Sequence, residues 1–433
     1  MICDIRDFGA VTTDILQTKA IQKAIDTCFL AGGGEVHIPC GIYRTGGLRL
    51  RSNVVLYLES GAILEGSQDP EEYFHWREDG IEPIYEKIED EPARYRSAYC
   101  YSRWNNALIR AIRAENAAII GEPGSYIDGC NPFDPVGEER YRGPHGINMW
   151  YCKNITLKGY TIRNSGNWNH AIFQCEKIRM DNVTVMAGHD GADFFLCRDV
   201  LVENSHFYSG DDAIAGFGSK DVTIRDSELN TACSILRFGG TDVRIERCWA
   251  VGPGKFCHRY ELSRKEQEES RMGTDQTRHN TLSVFLYYCD ERFGPLPFPQ
   301  GNIKFVDCRF ENVEDLFNMA YGLHRWCSHS PLLSIGFQNC QITGLHKCSF
   351  LHGDPEHPTQ FTLENVKLSP APGFENTGVL DAENFEKIVL KDVDCSGYRS
   401  PHIIQRSEGE ILLSNTSLSV KREAAGKAPL HGH

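Results

Sequence analysis

No Cys-x-x-Cys pair occurs anywhere in the chain, although it holds 17 cysteines in 433 residues. Cysteines at that spacing mark structural zinc sites and redox motifs, so their absence argues against both. The cysteine density also falls below the ~8–10% of disulfide scaffolds, and an odd count cannot pair completely. Long hydrophobic runs are missing too: no stretch approaches the ~20 apolar residues of a membrane-spanning helix. Nor do residues Met1 to Asp7 offer a basic segment followed by an apolar run, the mark of a secretory leader. Free thiols in a reducing cytoplasm are the expectation. Positive charge is scarce, with 45 Lys+Arg against 59 Asp+Glu and a net charge of -14. Phosphate binding needs clustered Lys and Arg, so no nucleic-acid partner is expected. No membrane partner, metal or cofactor is expected either, and the oligomeric state is not legible.

What the chain does have is an internal repeat. Cys152-Lys-Asn-Ile155-Thr-Leu157 is echoed by Cys175-Glu-Lys-Ile178-Arg-Met180 and by Cys197-Arg-Asp-Val200-Leu-Val202. Ser219-Lys-Asp-Val222-Thr-Ile224 and Gly240-Thr-Asp-Val243-Arg-Ile245 continue it. The aligned apolar positions 155, 178, 200, 222 and 243 are 23, 22, 22 and 21 residues apart. Within each unit apolar and polar residues alternate, which is strand periodicity, and Gly, Asn, Asp and Ser close the unit as turn residues. The Leu-x-x-Leu-x-Leu signature of leucine-rich repeats is absent. One short unit per coil predicts an all-β fold, a right-handed parallel β-helix in which each coil stacks on the last. Cys152, Cys175 and Cys197 then form a column of small apolar side chains inside the coils.

Weaker units begin at Gly301, Leu333, Phe361 and Glu386, so one domain is expected to run over 1–420, with a frayed tail at 421–433. Two excursions, about 68–104 and 260–281, break the pattern. The first coil of a β-helix needs a cap, because it would otherwise expose apolar surface and unpaired backbone. Residues 20, 21, 24, 25 and 28 have helical apolar spacing and precede the break at Ala31-Gly-Gly-Gly34. A capping helix is predicted there, within a cap over about 1–35.

Several segments carry a family resemblance. Arg6-Asp-Phe-Gly-Ala10, Ala20-Ile-Gln-Lys-Ala-Ile-Asp26 and Ala31-Gly-Gly-Gly-Glu-Val-His-Ile-Pro39 resemble the opening of the polygalacturonase family, glycoside hydrolase family 28. The segment Ser52 to Ser67 does so as well, and Asn164-Ser-Gly-Asn-Trp168 is similar to the family's Asn-Ser-Pro-x-Trp. The resemblance covers residues 4–250. The family's Asn-x-Asp-Gly appears as Gly188-His189-Asp190-Gly191, without the Asn, and its Gly-Asp-Asp is intact as Gly210-Asp211-Asp212. Asp193 also has a family counterpart. Two motifs are missing: Thr231-Ala-Cys-Ser234 stands where Gly-His-Gly is expected, and Phe256-Cys-His-Arg259 keeps only the basic character of Arg-Ile-Lys.

Asp190 and Asp211 are 21 residues apart, one repeat, so stacked coils would bring them within a few ångströms at ~4.8 Å per strand. Glycosidic cleavage needs a proton donor on one side of the bond and a base or nucleophile on the other. The resemblance implies an inverting hydrolase in which Asp211 is the acid while Asp190 and Asp212 activate water. Two other readings of the carboxylates stand beside it: turn formers, and a calcium site as in lyases of this fold. The candidate substrate-contacting residues are His189, Arg237, His258, Arg259 and Trp168. His189 also suits a solvated turn, Arg237 could stand in for the missing Gly-His-Gly, and Trp168, Tyr321 and Trp326 suit either sugar stacking or packing. The leading expectation is an exo-acting hydrolase of pectin-derived or related oligosaccharides. A uronate lyase or epimerase, and a non-catalytic carbohydrate-binding β-helix, are the alternatives.

Overall fold

The computed structural model describes residues 1–73, 102–137, 140–258, 278–289, 296–322 and 330–424. Both predicted excursions fall largely outside these residues, as do Trp326 and Arg259. The described chain divides into two compact units, residues 1–213 with 256–278 and residues 214–255 with 279–433. Each is built of short parallel strands stacked coil upon coil, the right-handed parallel β-helix expected from the repeat.

In the first unit the register explains the repeat. Cys3, Val36, Leu56, Ile119, Leu157, Met180 and Val202 are successive partners on seven parallel strands, and all are buried. On another face Tyr43, Leu64, Ile127, Ile162, Val185 and Phe207 form a second buried column. Each column lines the interior because alternate residues of a strand point to one side. Burying a Val, Leu, Ile or Phe side chain contributes about 1.5–3 kcal/mol, so the stacked columns supply the main driving force.

The turns are as regular as the strands. Asn53, Asn116 and Asn154 all adopt positive φ (59°, 54° and 58°), a conformation Asn tolerates better than most residues. Their amides form a ladder, Asn154 Nδ2 donating to Asn116 Oδ1 at 2.7 Å and Asn116 Nδ2 to Asn53 Oδ1 at 3.1 Å. Cys152, Cys175 and Cys197 are buried, and the Cys152 amide donates to the Cys175 sulfur at 3.2 Å. The cysteine column is therefore packing.

The predicted cap is an α-helix, α1, spanning Thr18–Leu30, with Ile21, Ala24, Ile25 and Cys28 buried. Its polar side chains satisfy the open edge of the strand Leu48–Leu50. Gln22 Oε1 accepts from the Arg49 amide at 2.7 Å while its Nε2 donates to the Arg49 carbonyl at 3.1 Å. Thr18 Oγ1 takes the Gly46 amide at 2.8 Å.

The second unit repeats the scheme with larger side chains. Val222, Val243, Ile303, Ile335, Phe361 and Ile388 are successive register partners and are buried. Phe305 and Phe337 stack at 4.5 Å between ring centroids. Among the described residues no helix is long and apolar enough to cross a membrane.

Candidate active site

Two turns of the first unit carry the aspartates. Ala187 and Gly188 have φ of 58° and 82°, and this paired left-handed turn aims His189 and Asp190 off the strand Thr184–Met186. One coil on, Gly210-Asp211-Asp212 follows the strand His206–Ser209. The coils are locked together by backbone bonds: the Gly191 amide donates to the Asp212 carbonyl at 2.9 Å, and Ala192 to Ala213 at 3.2 Å. The glycines are needed for close approach. A Cβ on Gly191 would lie 2.4 Å from the Ala213 carbonyl oxygen, and one on Gly210 would lie 2.4 Å from that of Cys257.

The one-coil spacing does what the sequence implied. Carboxylate oxygens of Asp190, Asp211 and Asp212 lie within 4.8 Å of one another. Asp190 and Asp212 are each only 2% exposed, whereas Asp211 is less recessed. Oxygens at this separation can share one water, since two hydrogen bonds of ~2.8 Å to a common atom span up to ~5.6 Å. They could equally offer three oxygen ligands to a hard cation. His258 competes for that role, because its Nε2 lies 3.6 Å from Asp211 Oδ2.

Cations decide the charge state of Asp211. Burial pushes its carboxyl up, but His258, Arg142 and His189 outweigh that and hold it well below the usual carboxylate range. Arg142 belongs to a two-stranded antiparallel insertion, Phe133–Gly137 with Arg140–Arg142. Its Nη1 donates to Asn167 Oδ1 at 3.2 Å. His258 reaches Asp211 because the bare face of Gly210 lets the Cys257 backbone pass against it, and the His258 amide is tied to the Arg278 carbonyl at 2.9 Å.

A buried shell holds the turns from below. The Asn169 amide and its side-chain Nδ2 both donate to the Asp190 carbonyl at 3.0 Å, and Ser165 Oγ donates to Asn169 Oδ1 at 3.0 Å. His170 Nδ1 meets the Gly191 carbonyl at 3.0 Å, and since a carbonyl only accepts, that nitrogen carries the proton. Tyr160 then donates to Nε2 at 3.0 Å. Burial lowers the His170 pKa to about 4, so the imidazole is neutral at physiological pH. Asp193 is fully buried on the neighbouring strand.

Other expectations change on the structure. Trp168 is 4% exposed and packs edge-on against Trp104 at 5.2 Å and flat against Phe195 at 5.6 Å, so it offers no platform to a sugar. His258 lies beside the aspartates, its Nε2 3.6 Å from Asp211 Oδ2. Arg237 lies in the second unit, its guanidinium 4.7 Å over the Tyr288 ring. Arg259 lies outside the described residues. Asn169, His170 and Arg142 were not singled out from sequence. The first two were findable, standing 21 residues before Asp190 and Gly191; Arg142 had no such signal.

The class defined by this architecture is a right-handed parallel β-helix with a cluster of three aspartates at a coil turn. A family model described as a right handed beta helix region matches residues 142–257. The chain resembles the polygalacturonases: it is 28% identical over 187 residues to a probable polygalacturonase of Vitis vinifera, covering 42% of this chain and 36% of that protein. It is 41% identical over 75 residues to an exo-poly-alpha-D-galacturonosidase of Dickeya chrysanthemi, covering 17% and 12%. The chain thus spans about a third or less of the length of these relatives. The family 28 exopolygalacturonase of Yersinia enterocolitica superposes with a TM-score of 0.57 at 18% identity, over 98% of this chain and 79% of that one.

Proposed function

We propose that this protein is a glycoside hydrolase that cleaves pectin-derived or related oligosaccharides from a chain end, with inversion at the anomeric carbon. The observation that carries the reading is the convergence of Asp190, Asp211 and Asp212 on adjacent coils. Asp211 delivers the proton to the leaving oxygen, and Asp190 with Asp212 holds the attacking water. An ionised Asp211 is not itself a donor, so in this reading it takes up a proton before the bond breaks, with His258 Nε2 3.6 Å from its Oδ2 placed to relay one. His258 thereby takes a place that the missing Gly-His-Gly motif leaves open. The carboxylate oxygens are closer than the ~6.5–9.5 Å usual between the two carboxyls of inverting enzymes, which makes the stereochemical outcome a sharp test.

End-wise action rests on two resembling proteins whose names say exo. A cytoplasmic location, and hence short imported substrates, is supported by the cysteines, since none of the fifteen in the described residues is in a disulfide. The test is a chromatographic time course over pectic and hemicellulosic oligosaccharides. Single residues should appear from the start. Unsaturated sugars absorbing in the ultraviolet would mean a lyase, an epimerised but uncleaved chain would mean an epimerase, and no product at all would mean a binding protein.

A further inference from the structure

Val251, Glu311 and Thr343 are register partners on three successive coils of the second unit. At ~4.8 Å per coil the column they form is ~10 Å long. It lines an open cavity of about 500 Å³ whose other walls include Asn312, His346 and Phe374, within the ~300–1,000 Å³ range of small-ligand sites. None of these residues belongs to the aspartate cluster.

The lining is pre-formed. Phe374 is 38% exposed, yet its ring is fixed by stacking on the His346 imidazole, at 5.1 Å between centroids and 9° between planes. Its backbone is pinned as well, the Phe374 amide donating to Ala371 and the Thr377 hydroxyl to the Phe374 carbonyl at 2.8 Å. Val251 is 52% exposed in the same lining. Asn312 holds a left-handed turn (φ 55°) with its amide on the Thr343 carbonyl at 2.7 Å. An ordered aromatic ring left open to solvent beside a row of hydrogen-bonding groups suits a ligand with one apolar face and polar edges.

We propose that this cavity is a second carbohydrate-binding site, taking one or two rings of a neutral sugar. The C–H face of a pyranose packs on Phe374 and Val251. Its hydroxyls donate to the Glu311 carboxylate and exchange hydrogen bonds with Asn312, Thr343 and His346. The lining contains one carboxylate and no lysine or arginine. Arg309, outside the lining, is paired with the Glu311 carboxylate, and Lys347 with Glu314. A uronate would find no lysine or arginine in the lining to take its carboxylate, so a neutral sugar is favoured.

The test uses the full chain carrying Asp211→Asn, so that nothing is turned over, with galactobiose, xylobiose, cellobiose and digalacturonate as probes in titrations followed by NMR. At least one neutral disaccharide should bind, and Phe374→Ala should weaken it tenfold or more. Val251→Trp, which fills the cavity from an exposed position, should do the same. Digalacturonate binding should respond to neither change, and both variants on the wild-type background should keep full turnover of short substrates. Failure of every neutral probe to bind, or binding unaffected by both substitutions, would overturn the proposal.

Discussion

Asp211 and His258 are the residues on which the proposed chemistry turns. Their 3.6 Å contact ties the charge of one to the other, and the sign of the effect can be worked through. Burial alone would raise the Asp211 pKa, while the cations lower it well below its ordinary value. A carboxyl with a depressed folded-state pKa contributes stability above its unfolded value of ~3.9, and that stability is lost as pH falls through the folded value. In His258→Gln a major opposing cation is gone and burial gains weight, so Asp211 titrates higher. The stability advantage of wild type over this variant should therefore be present just above pH ~4 and shrink as pH falls below it, as urea unfolding at a series of pH values would show. An advantage that does not change with pH would contradict the pairing. On activity, Asp211→Asn should cost ~10²–10⁴-fold or more in kcat with folding intact. His258→Gln should cost less and shift the pH profile.

Among the elements, the two site turns depend on glycine for space. A methyl group on Gly210 would meet the Cys257 carbonyl at 2.4 Å, and that backbone leads directly into His258. Gly210→Ala should therefore push His258 away from Asp211 at a cost of ~1–3 kcal/mol. A displacement of ~1 Å there should lower kcat up to ~10²-fold. Thermal melts and steady-state kinetics on one preparation check both, and an unchanged kcat would show that the Cys257 segment does not position the pair. Helix α1 makes a parallel case. Gln22→Ala removes both bonds to Arg49 and leaves a strand edge unpaired, so it should destabilise by ~1–3 kcal/mol with no effect on turnover. The reach of sequence reading is visible at this scale. The columns through Ile155, Ile178 and Val200 were legible because alternation and a 21–23-residue period are properties of the string itself. Asp190 and Asp211 were legible because they match motifs of the resembling family, and the same period placed them on adjacent coils. Arg142 was not, because it stands on an antiparallel insertion out of phase with the coils. The choice between stacking and packing for Trp168 was not legible, because its partners Trp104 and Phe195 come from other coils and only stacking shows that they bury it.

In the molecule as a whole, composition and fold agree on what is handled. A chain with net charge -14 and a turn crowded with three carboxylates would repel a polyanion unless cations intervene. His258, Arg142 and His189 are the groups that lower the Asp211 pKa. On the proposed reading, short or uncharged oligosaccharides are expected to outperform polygalacturonate. The claim that holds these features together is direct attack by a water held between Asp190 and Asp212. Proton NMR during the first turnovers reads it, by following the anomeric signal of the released sugar before it mutarotates. The account predicts that the inverted anomer appears first from wild type and that no sugar is released by Asp211→Asn. First appearance of the retained anomer would contradict it, and would make one of these aspartates a nucleophile.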